Sequence, residues 1–301
     1  MTQKITPNIW CQGNAREMAE FYTGIFPDSK ITGGSKYPES VDQGLAEFQT
    51  DLAGKDLTVE LTLAGLEFVL INAGSEFSPN PSISFFVNFD PSRDDQAREH
   101  LDELWSKLSE GGTVLMELGE YPFSPHYGWI QDAYGVSWQL ILTNPEGELR
   151  PMIVPSLLFA DTSQNRAREA AELYVSLFDD AALGNFSYYG QDTGPATAES
   201  VAYGEFRVGD QWFAVMDNGG TEHTFHFTEG ISLSVACRDQ AEIDTLWDVL
   251  STVPEAEQCG WCKDQFGVSW QIVPANMDEL MQKPDAFKTM MNQHKIIISD
   301  Y

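Results

Sequence analysis

The chain has 301 residues, 42% of them hydrophobic, and its 17 basic and 46 acidic side chains give a formal net charge of −29. This charge disfavours nucleic acid and anionic membrane surfaces as partners, because both attract proteins through basic patches. No segment has the apolar length of a membrane span, the N-terminus lacks the pattern of a secretion signal, and four cysteines are too few for a disulfide framework. We therefore expect a cytoplasmic protein.

The first half of the chain predicts a strand and a helix, followed by several strands, and then the same order again. Residues 5–11 alternate between two faces as a strand does, and apolar residues at helical spacing predict a helix that ends before Pro27. Strand patterns follow at residues 30–37, 44–52, 57–63 and 67–72. A strand at 82–89 and a helix around 101–108 come next, and three strands complete this half, at 114–117, 127–131 and 136–142.

The second half repeats this order. Its predicted elements are a strand at 154–159, a helix at 165–177, strands up to residue 216, a strand at 231–236, a helix at 240–250, and strands at 260–263 and 268–273. Four βαβββ modules are the simplest interpretation. The remaining residues predict a short helix at 277–282 and an apolar segment at 296–298 that pairs as an edge strand.

A long string of residues occurs twice. Trp129-Ile130-Gln131-Asp132-Ala133-Tyr134-Gly135-Val136-Ser137-Trp138-Gln139-Leu140 returns as Trp261-Cys262-Lys263-Asp264-Gln265-Phe266-Gly267-Val268-Ser269-Trp270-Gln271-Ile272. A match of this length indicates a tandem duplication. We assign residues 1–143 to a first domain, 144–151 to a polar linker, 152–275 to a second domain and 276–301 to a C-terminal extension.

Three segments together resemble a known family: Ile5-Thr6-Pro7, the helix end from Phe21-Tyr22 to Pro27, and the string from Gly260 to Gln271. They are similar to the PhnB-like family, also labelled 3-demethylubiquinone-9 3-methyltransferase-like. This family belongs to the vicinal oxygen chelate superfamily, together with glyoxalase I, bleomycin-resistance proteins and extradiol dioxygenases. The resemblance implies an α+β fold, the glyoxalase/bleomycin resistance/dioxygenase fold, in which four tandem βαβββ modules form two cup-shaped mixed-sheet domains. It also implies a pseudo-dimer within one chain and leaves a further homodimer open.

The same resemblance locates the positions at which related proteins bind a divalent metal. Metal-using relatives usually have a glutamate where this chain has Gln139 and Gln271, and usually a histidine on the first strand. The first strands here offer only Thr6 or Asn8 in one half and Val154 or Ser156 in the other. Because a glutamine carbonyl oxygen is a weak ligand for Zn²⁺, Fe²⁺ or Mn²⁺, we predict no tightly bound catalytic metal, and no other cofactor.

Other candidate residues fit structural roles better. The pair His223 and His226 is the strongest metal candidate outside these positions, although surface polarity explains it better, and His126 either lines the mouth of a cup or is a solvated loop residue. Cys259 and Cys262 have the spacing of redox and zinc motifs, but they lead directly into a strand, so we interpret them as structural. The glycine pairs lack the strand-to-helix context of a nucleotide-type cofactor site, so we discount a methyltransferase activity.

Strand alternation supplies the candidate ligand-binding residues. It places Ser137 and Gln139 on one face and Trp138 on the other, and the family position of Gln139 implies that its face lines the cup. Trp138 and Trp270 are then core residues. The predicted ligand-binding set is Asn8, Trp10, Trp129, Ser137, Gln139, Ser156, Trp261, Ser269 and Gln271. Aromatic walls with uncharged hydrogen-bonding groups suit a neutral, partly apolar small molecule.

Three hypotheses about function follow from these patterns. In the first, which we favour, the protein binds a small molecule without a tightly bound metal. In the second, it is a metal-dependent lyase, isomerase or dioxygenase of the glyoxalase superfamily. In the third, one copy is purely structural and serves as a built-in dimer partner. The sequence assigns no catalytic residue, so enzymatic activity stays open.

Overall fold

The computed structural model has the predicted α+β architecture, and it describes residues 3–45, 47–220 and 225–301. The first copy consists of β1 (Ile5–Cys11), α1 (Ala15–Ile25), β2 (Lys30–Lys36), β3 (Asp56–Leu63), β4 (Leu66–Asn72), β5 (Ile83–Phe89), α2 (Ala97–Ser109), β6 (Thr113–Tyr121), β7 (Ser124–Gln131) and β8 (Ser137–Leu142). The second copy consists of β9 (Ile153–Phe159), α3 (Ala167–Ser176), β10 (Ala181–Tyr188), β11 (Val201–Val208), β12 (Gln211–Asp217), β13 (Ile231–Cys237), α4 (Gln240–Leu250), β14 (Trp261–Lys263) and β15 (Ser269–Pro274). The C-terminal extension forms α5 (Met277–Leu280) and α6 (Ala286–Met291).

Each of the two mixed sheets takes one module from each copy. The order of the seven-stranded sheet is β14-β15-β13-β1-β4-β3-β2, and that of the eight-stranded sheet is β10-β11-β12-β9-β5-β8-β7-β6. The copies meet where β1 runs antiparallel to β13 and where β5 runs antiparallel to β9. This arrangement is a pseudo-dimer within one chain. The boundaries at residues 143 and 152 therefore divide the sequence repeat, while both sheets extend across them.

Two predicted elements are wrong. Residues 44–52 form a 3-10 helix at Glu47–Leu52 instead of a strand, because the buried Leu45 packs against Phe287 of α6 and does not pair with the sheet. The fourth module has the two strands predicted after its helix, one fewer than the βαβββ outline, and a 3-10 turn at Pro254–Ala256 lies before them. Residues 296–298 pair with no strand, because the side chain of Gln240 binds this backbone, donating to the Ile296 oxygen at 3.0 Å and accepting from the Ile298 nitrogen at 2.9 Å.

One continuous hydrophobic core lies between the sheets and the helices α1 to α4. As predicted, Trp138 and Trp270 belong to this core, with exposed fractions of 0% and 1%. None of the helices in the described part of the chain is long and apolar enough to cross a membrane.

The repeated string builds the same buried turn twice. Oδ2 of Asp132 accepts hydrogen bonds from the Tyr22 hydroxyl at 2.6 Å and from Trp138 Nε1 at 2.8 Å, while Oδ1 accepts from two backbone N–H groups of its own turn. Asp264 has the corresponding partners in the second copy, Tyr174 at 2.7 Å and Trp270 at 2.8 Å. Burial raises the pKa of both carboxyl groups, and the hydrogen bonds oppose this rise. Most of the repeated string therefore has a structural role.

Candidate functional site

Both sheets curl into cups on the face that is turned away from helices α1 to α4, which we call the inner face. Trp10 and Trp261 lie on strands separated by two others, yet their ring centroids are 6.1 Å apart. Phe86 and Tyr203 have the same relation in the eight-stranded sheet, at 5.8 Å. Three strand spacings correspond to about 14 Å along a flat sheet, so these contacts require strong curvature.

The structure divides the predicted ligand-binding residues between the two cups. The inner face of the seven-stranded sheet carries five of them, Asn8, Trp10, Trp261, Ser269 and Gln271. The inner face of the eight-stranded sheet carries the other four, Trp129, Ser137, Gln139 and Ser156. Each cup thus combines first-strand residues of one copy with last-strand residues of the other, because the sheets join modules from different copies.

The eight-stranded cup is closed by its own side chains. Gln139 has an exposed fraction of 2%; its Oε1 accepts a hydrogen bond from the Tyr127 hydroxyl at 2.6 Å, and its Nε2 donates to Ser84 Oγ at 2.8 Å. Burial raises the pKa of Tyr127, so its hydroxyl stays protonated and can donate. A separate apolar cluster that includes Phe86 and Trp129 fills the space around this network. Both side-chain polar atoms of Gln139 therefore have a partner within the protein.

The seven-stranded cup is more open. Gln271 is half-buried and lies directly across from Trp261, and its Nε2 donates to Ser232 Oγ at 2.9 Å. Within residues 3–45, 47–220 and 225–301, no donor binds the Oε1 atom of Gln271. Ser269 is 1% exposed and its hydroxyl has no partner among the described residues. This cup therefore has an unpartnered amide oxygen, that of Gln271, beside two facing tryptophans. Buried hydroxyls without a partner among the described residues occur in both cups, Ser269 in this one and Ser137 and Ser156 in the other.

Strand register reveals a pair of acidic residues that sequence reasoning missed. In the eight-stranded sheet, Glu205 pairs with Ala214, and this row continues through Ser156, Ser84 and Ser137. In the seven-stranded sheet, Glu60 pairs with Val69, and the row continues through Asn8 and Ser232. Glu60 and Glu205 thus occupy the same position in the two cups. The sequence did contain a signal for this pair, because Glu60 in the first repeat and Glu205 in the second occupy corresponding positions.

Glu205 is neutralised by an arginine from the linker. Arg150 donates from Nε to Oε1 of Glu205 at 3.0 Å and from Nη2 to Oε2 at 2.8 Å, and the Tyr203 hydroxyl donates to the same carboxylate at 2.9 Å. The guanidinium carbon lies 3.9 Å from the ring centroid of Trp212. The hydrogen bonds to Glu205 raise the pKa of Arg150, so the guanidinium stays charged.

Glu60 is half-buried and has no ion-pair partner in the described part of the chain. Burial raises the pKa of its carboxyl group, and the negative charges of Asp278 and Glu67 raise it further. The sequence analysis expected only uncharged groups to line the cup, and Glu60 adds an acidic one. At the opposite edge of this sheet, Lys263 forms an ion pair with Glu229 at 2.9 Å.

The C-terminal extension borders the seven-stranded cup. The backbone N–H of Cys259, just before β14, donates to the Gln293 carbonyl at 2.8 Å. Phe287 of α6 packs against Tyr37, which directly follows β2, with ring centroids 6.3 Å apart. Because β14 and β2 are the two outer strands of this sheet, the extension connects both of its edges.

Of the histidine and cysteine candidates, His126 and Cys262 lie away from both inner faces. His126 is buried on the side of α2, where its ring contacts Asp102 at 2.6 Å and Arg98 at 3.2 Å, so it neither lines a cup mouth nor lies in a solvated loop. His223 lies outside the described residues, and His226 is exposed. Cys262 is buried and free, as expected of a structural cysteine.

Two surface depressions lie outside the cups. One of about 780 Å³ lies between the start of α4 and the C-terminal extension, and one of about 720 Å³ lies along α1 and α2. Both are open, and each is lined by charged side chains of both signs, among them Arg238 and Asp244 in the first and Arg93 and Asp94 in the second. They lack the convergent buried polar groups of a binding site, so we regard the inner faces as the candidate sites.

The donors on the inner faces do not fit a divalent metal. Among the described residues, no group of three or more His, Cys, Asp or Glu side chains is placed to hold an ion. Amides and hydroxyls occupy the centre of each cup, and these are weak ligands for Zn²⁺, Fe²⁺ or Mn²⁺.

Paired modules of this kind, curled into two cups with helices on the outside, define a protein of the glyoxalase/bleomycin resistance/dioxygenase fold. A glyoxalase I mutant from Zea mays is similar over 91% of this chain and 92% of its own, with 11% identity and a TM-score of 0.51, which shows the fold alone. The family profile described as 3-demethylubiquinone-9 3-methyltransferase matches residues 3–141 and 151–273, and the chain belongs to this PhnB-like family.

A solved structure from Bacillus cereus, titled "Putative 3-demethylubiquinone-9 3-methyltransferase, PhnB protein", is 36% identical to this chain. The match covers 47% of this chain and 100% of that one, with a TM-score of 0.39. A comparison with curated proteins found no match.

Proposed function

We propose that the protein binds a small, partly apolar molecule in the seven-stranded cup, without a tightly bound catalytic metal. The observation that carries this proposal is the half-buried amide of Gln271, whose Oε1 atom accepts no hydrogen bond from the described residues. Trp10 and Trp261 supply an apolar surface beside it, and the unpartnered hydroxyl of Ser269 supplies a second polar group. A site with aromatic walls and a few polar groups suits a small molecule.

The eight-stranded cup has a structural role in this proposal. Its glutamine is bonded through both side-chain atoms, and Arg150 neutralises its glutamate. This refines the hypothesis that one copy is structural, because the functional difference lies between cups, and each cup contains parts of both copies.

The alternative, a metal-dependent lyase, isomerase or dioxygenase, has less support. The donor set described above is poor for a divalent ion, and no observation favours a particular reaction. A methyltransferase activity also lacks support, because Gly33 and Gly34 lie within β2, and Gly111 and Gly112 lie in the turn after α2, not between a strand and a helix.

Ligand-observed NMR tests the proposal. Small neutral compounds, such as aromatic amides and alcohols, are screened against the wild-type protein, Ser269→Ala and the matched variant Ser137→Ala, which alters the other cup. We expect hits whose binding weakens severalfold in Ser269→Ala and is unchanged in Ser137→Ala. Hits that depend only on Ser137 would place the site in the eight-stranded cup and refute the proposal.

Elemental mass spectrometry tests the metal part of the proposal on protein purified without an affinity tag or chelator. We expect far less than one ion per chain, even after incubation with Zn²⁺, Mn²⁺, Fe²⁺ or Ni²⁺. About one ion per chain that is lost in Gln271→Leu would support the enzyme alternative instead.

A further inference from the structure

We propose that the molecule bound by the seven-stranded cup is an organic cation, an amidinium, guanidinium or primary amine on an apolar body, and that Glu60 is its anchor. This inference rests on the proposed function and names the chemical class of its ligand. It follows from comparing the two cups of the same chain.

The two glutamates are equivalent because strand pairing has the same register in both cups. Glu60 and Glu205 each lie on the third strand of a module, next to Val69 and Ala214 respectively. A glycine backbone faces each glutamate from the neighbouring strand: a Cβ atom on Gly33 would lie 2.8 Å from Oε2 of Glu60, and a Cβ atom on Gly184 would lie 3.0 Å from Cβ of Glu205. Each glutamate side chain therefore has a glycine as its neighbour on the adjoining strand.

In the eight-stranded cup, the protein supplies its own cation. The guanidinium of Arg150 makes a bidentate ion pair with Glu205 and stacks on Trp212, and its side chain is only 14% exposed. Charge, planar hydrogen bonding and aromatic stacking are the three interactions that favour guanidinium and amidinium groups. Arg150 thus occupies its cup as a tethered ligand would.

The seven-stranded cup has the carboxylate, but no basic side chain of the described residues is paired with it, and Lys263 on the same inner face is paired with Glu229 instead. Arg150 lies three residues before Ile153, and the repeat aligns Ile153 with Ile5, so the aligned sequence position in the first copy holds Thr2, which lies outside the described residues. The charges that act on Glu60 are those of Asp278 and Glu67, which are negative like its own. A bound cation would relieve this repulsion and the cost of burying the carboxylate.

Apolar groups lie next to Glu60 to receive the body of such a ligand. Val69 is its direct neighbour on β4, and Ile71 follows on the same face; both are half-buried. Trp10 pairs with Ile71 on β1 and continues the apolar surface toward the cup centre. Beyond it, the buried hydroxyl of Ser269 has no partner among the described residues, which gives the cup a second, uncharged polar point.

Two nearly isosteric probes test this inference. Benzamidine carries an amidinium, and benzamide has the same shape without the charge. Their dissociation constants are measured by NMR titration in about 150 mM salt, which screens the long-range field of the acidic protein. The matched variants are Glu60→Gln and Glu20→Gln, because each removes one negative charge and only the first removes the anchor. Glu20 is exposed on α1, which packs on the opposite face of this sheet.

We expect the wild-type protein to bind benzamidine about tenfold more tightly than benzamide, Glu60→Gln to lose this preference and Glu20→Gln to keep it. Equal binding of both probes to the wild-type protein, or a preference that survives in Glu60→Gln, would overturn the inference. If benzamide binds and depends on Ser269, the proposed function stands even then. If neither probe binds, and the neutral screen also finds no compound that depends on Ser269, both proposals are wrong. The wild-type comparison decides the matter even if a variant fails to fold.

Discussion

The two glutamines of the repeated string should respond very differently to the same substitution. Gln139→Leu removes the acceptor of the Tyr127 hydroxyl and the donor to Ser84, and both of these groups are buried. Each of the two unpaired buried groups costs about 1–3 kcal/mol, and the apolar surface of leucine returns about 1 kcal/mol, so we expect a net loss of about 1–5 kcal/mol. Gln271→Leu leaves only the buried Ser232 hydroxyl without its partner, so the same reasoning gives a smaller loss of about 0–2 kcal/mol.

Equilibrium unfolding in urea, followed by circular dichroism and tryptophan fluorescence, measures both losses. Because one continuous core joins the two sheets, we expect a single transition with the same midpoint for both probes. The slope of the transition should be unchanged in both variants, so that the shift in midpoint reports stability alone.

Tyr127→Phe is the control for the network. It deletes only the hydroxyl that donates to Gln139, so its loss should be smaller than that of Gln139→Leu and should not add to it in the double variant. Equal losses for Gln139→Leu and Gln271→Leu, or a larger loss for the second, would refute the assignment of a closed structural cup and an open binding cup.

Three further predictions concern stability. Asp132→Asn places an amide N–H₂ opposite Trp138 Nε1 and should lower the free energy of unfolding by about 1–3 kcal/mol, measured in urea. A variant as stable as the wild-type protein would contradict the buried hydrogen bonds of Asp132. Ser137→Ala removes a buried hydroxyl that has no partner among the described residues, so its melting temperature should be equal or higher, and a clear decrease would show that an ordered water binds this hydroxyl. Burial raises the pKa of Asp132, so the contribution of this carboxyl group to stability is greatest below its ordinary pKa and is lost as pH rises through the raised pKa. The melting temperature of the wild-type protein should therefore fall with rising pH more steeply than that of Asp132→Asn. Parallel curves for the two proteins would refute this reasoning.

Most of the elements could be predicted because each is encoded by a local pattern. Periodicity located the helices and most strands, and the duplication made each assignment in one copy support the other. The predictions failed where apolar residues pack against a distant part of the chain instead of pairing in a sheet. Leu45 and Leu52 fit a strand pattern, but they pack around Phe287, which lies more than 200 residues away in the chain.

The candidate site was predicted only in part. Alternation along single strands correctly placed Trp138 in the core and Gln139 on the other face, since a strand has a period of two. It did not reveal which strands lie side by side, so Asn8 and Gln271 could not be assigned to one cup from the sequence. Whether these residues bind a ligand stays a prediction.

The sequence by itself determined that this protein is a duplicated set of βαβββ modules with a strongly acidic composition, because repeats, periodicity and charge are properties of the chain read in order. Only the tertiary structure decided that each sheet joins modules of different copies, that Arg150 neutralises Glu205, and that Glu60 has no such partner among the described residues. These facts depend on contacts between segments far apart in the chain. Such contacts are selected by the packing of a common core, and no local pattern records them.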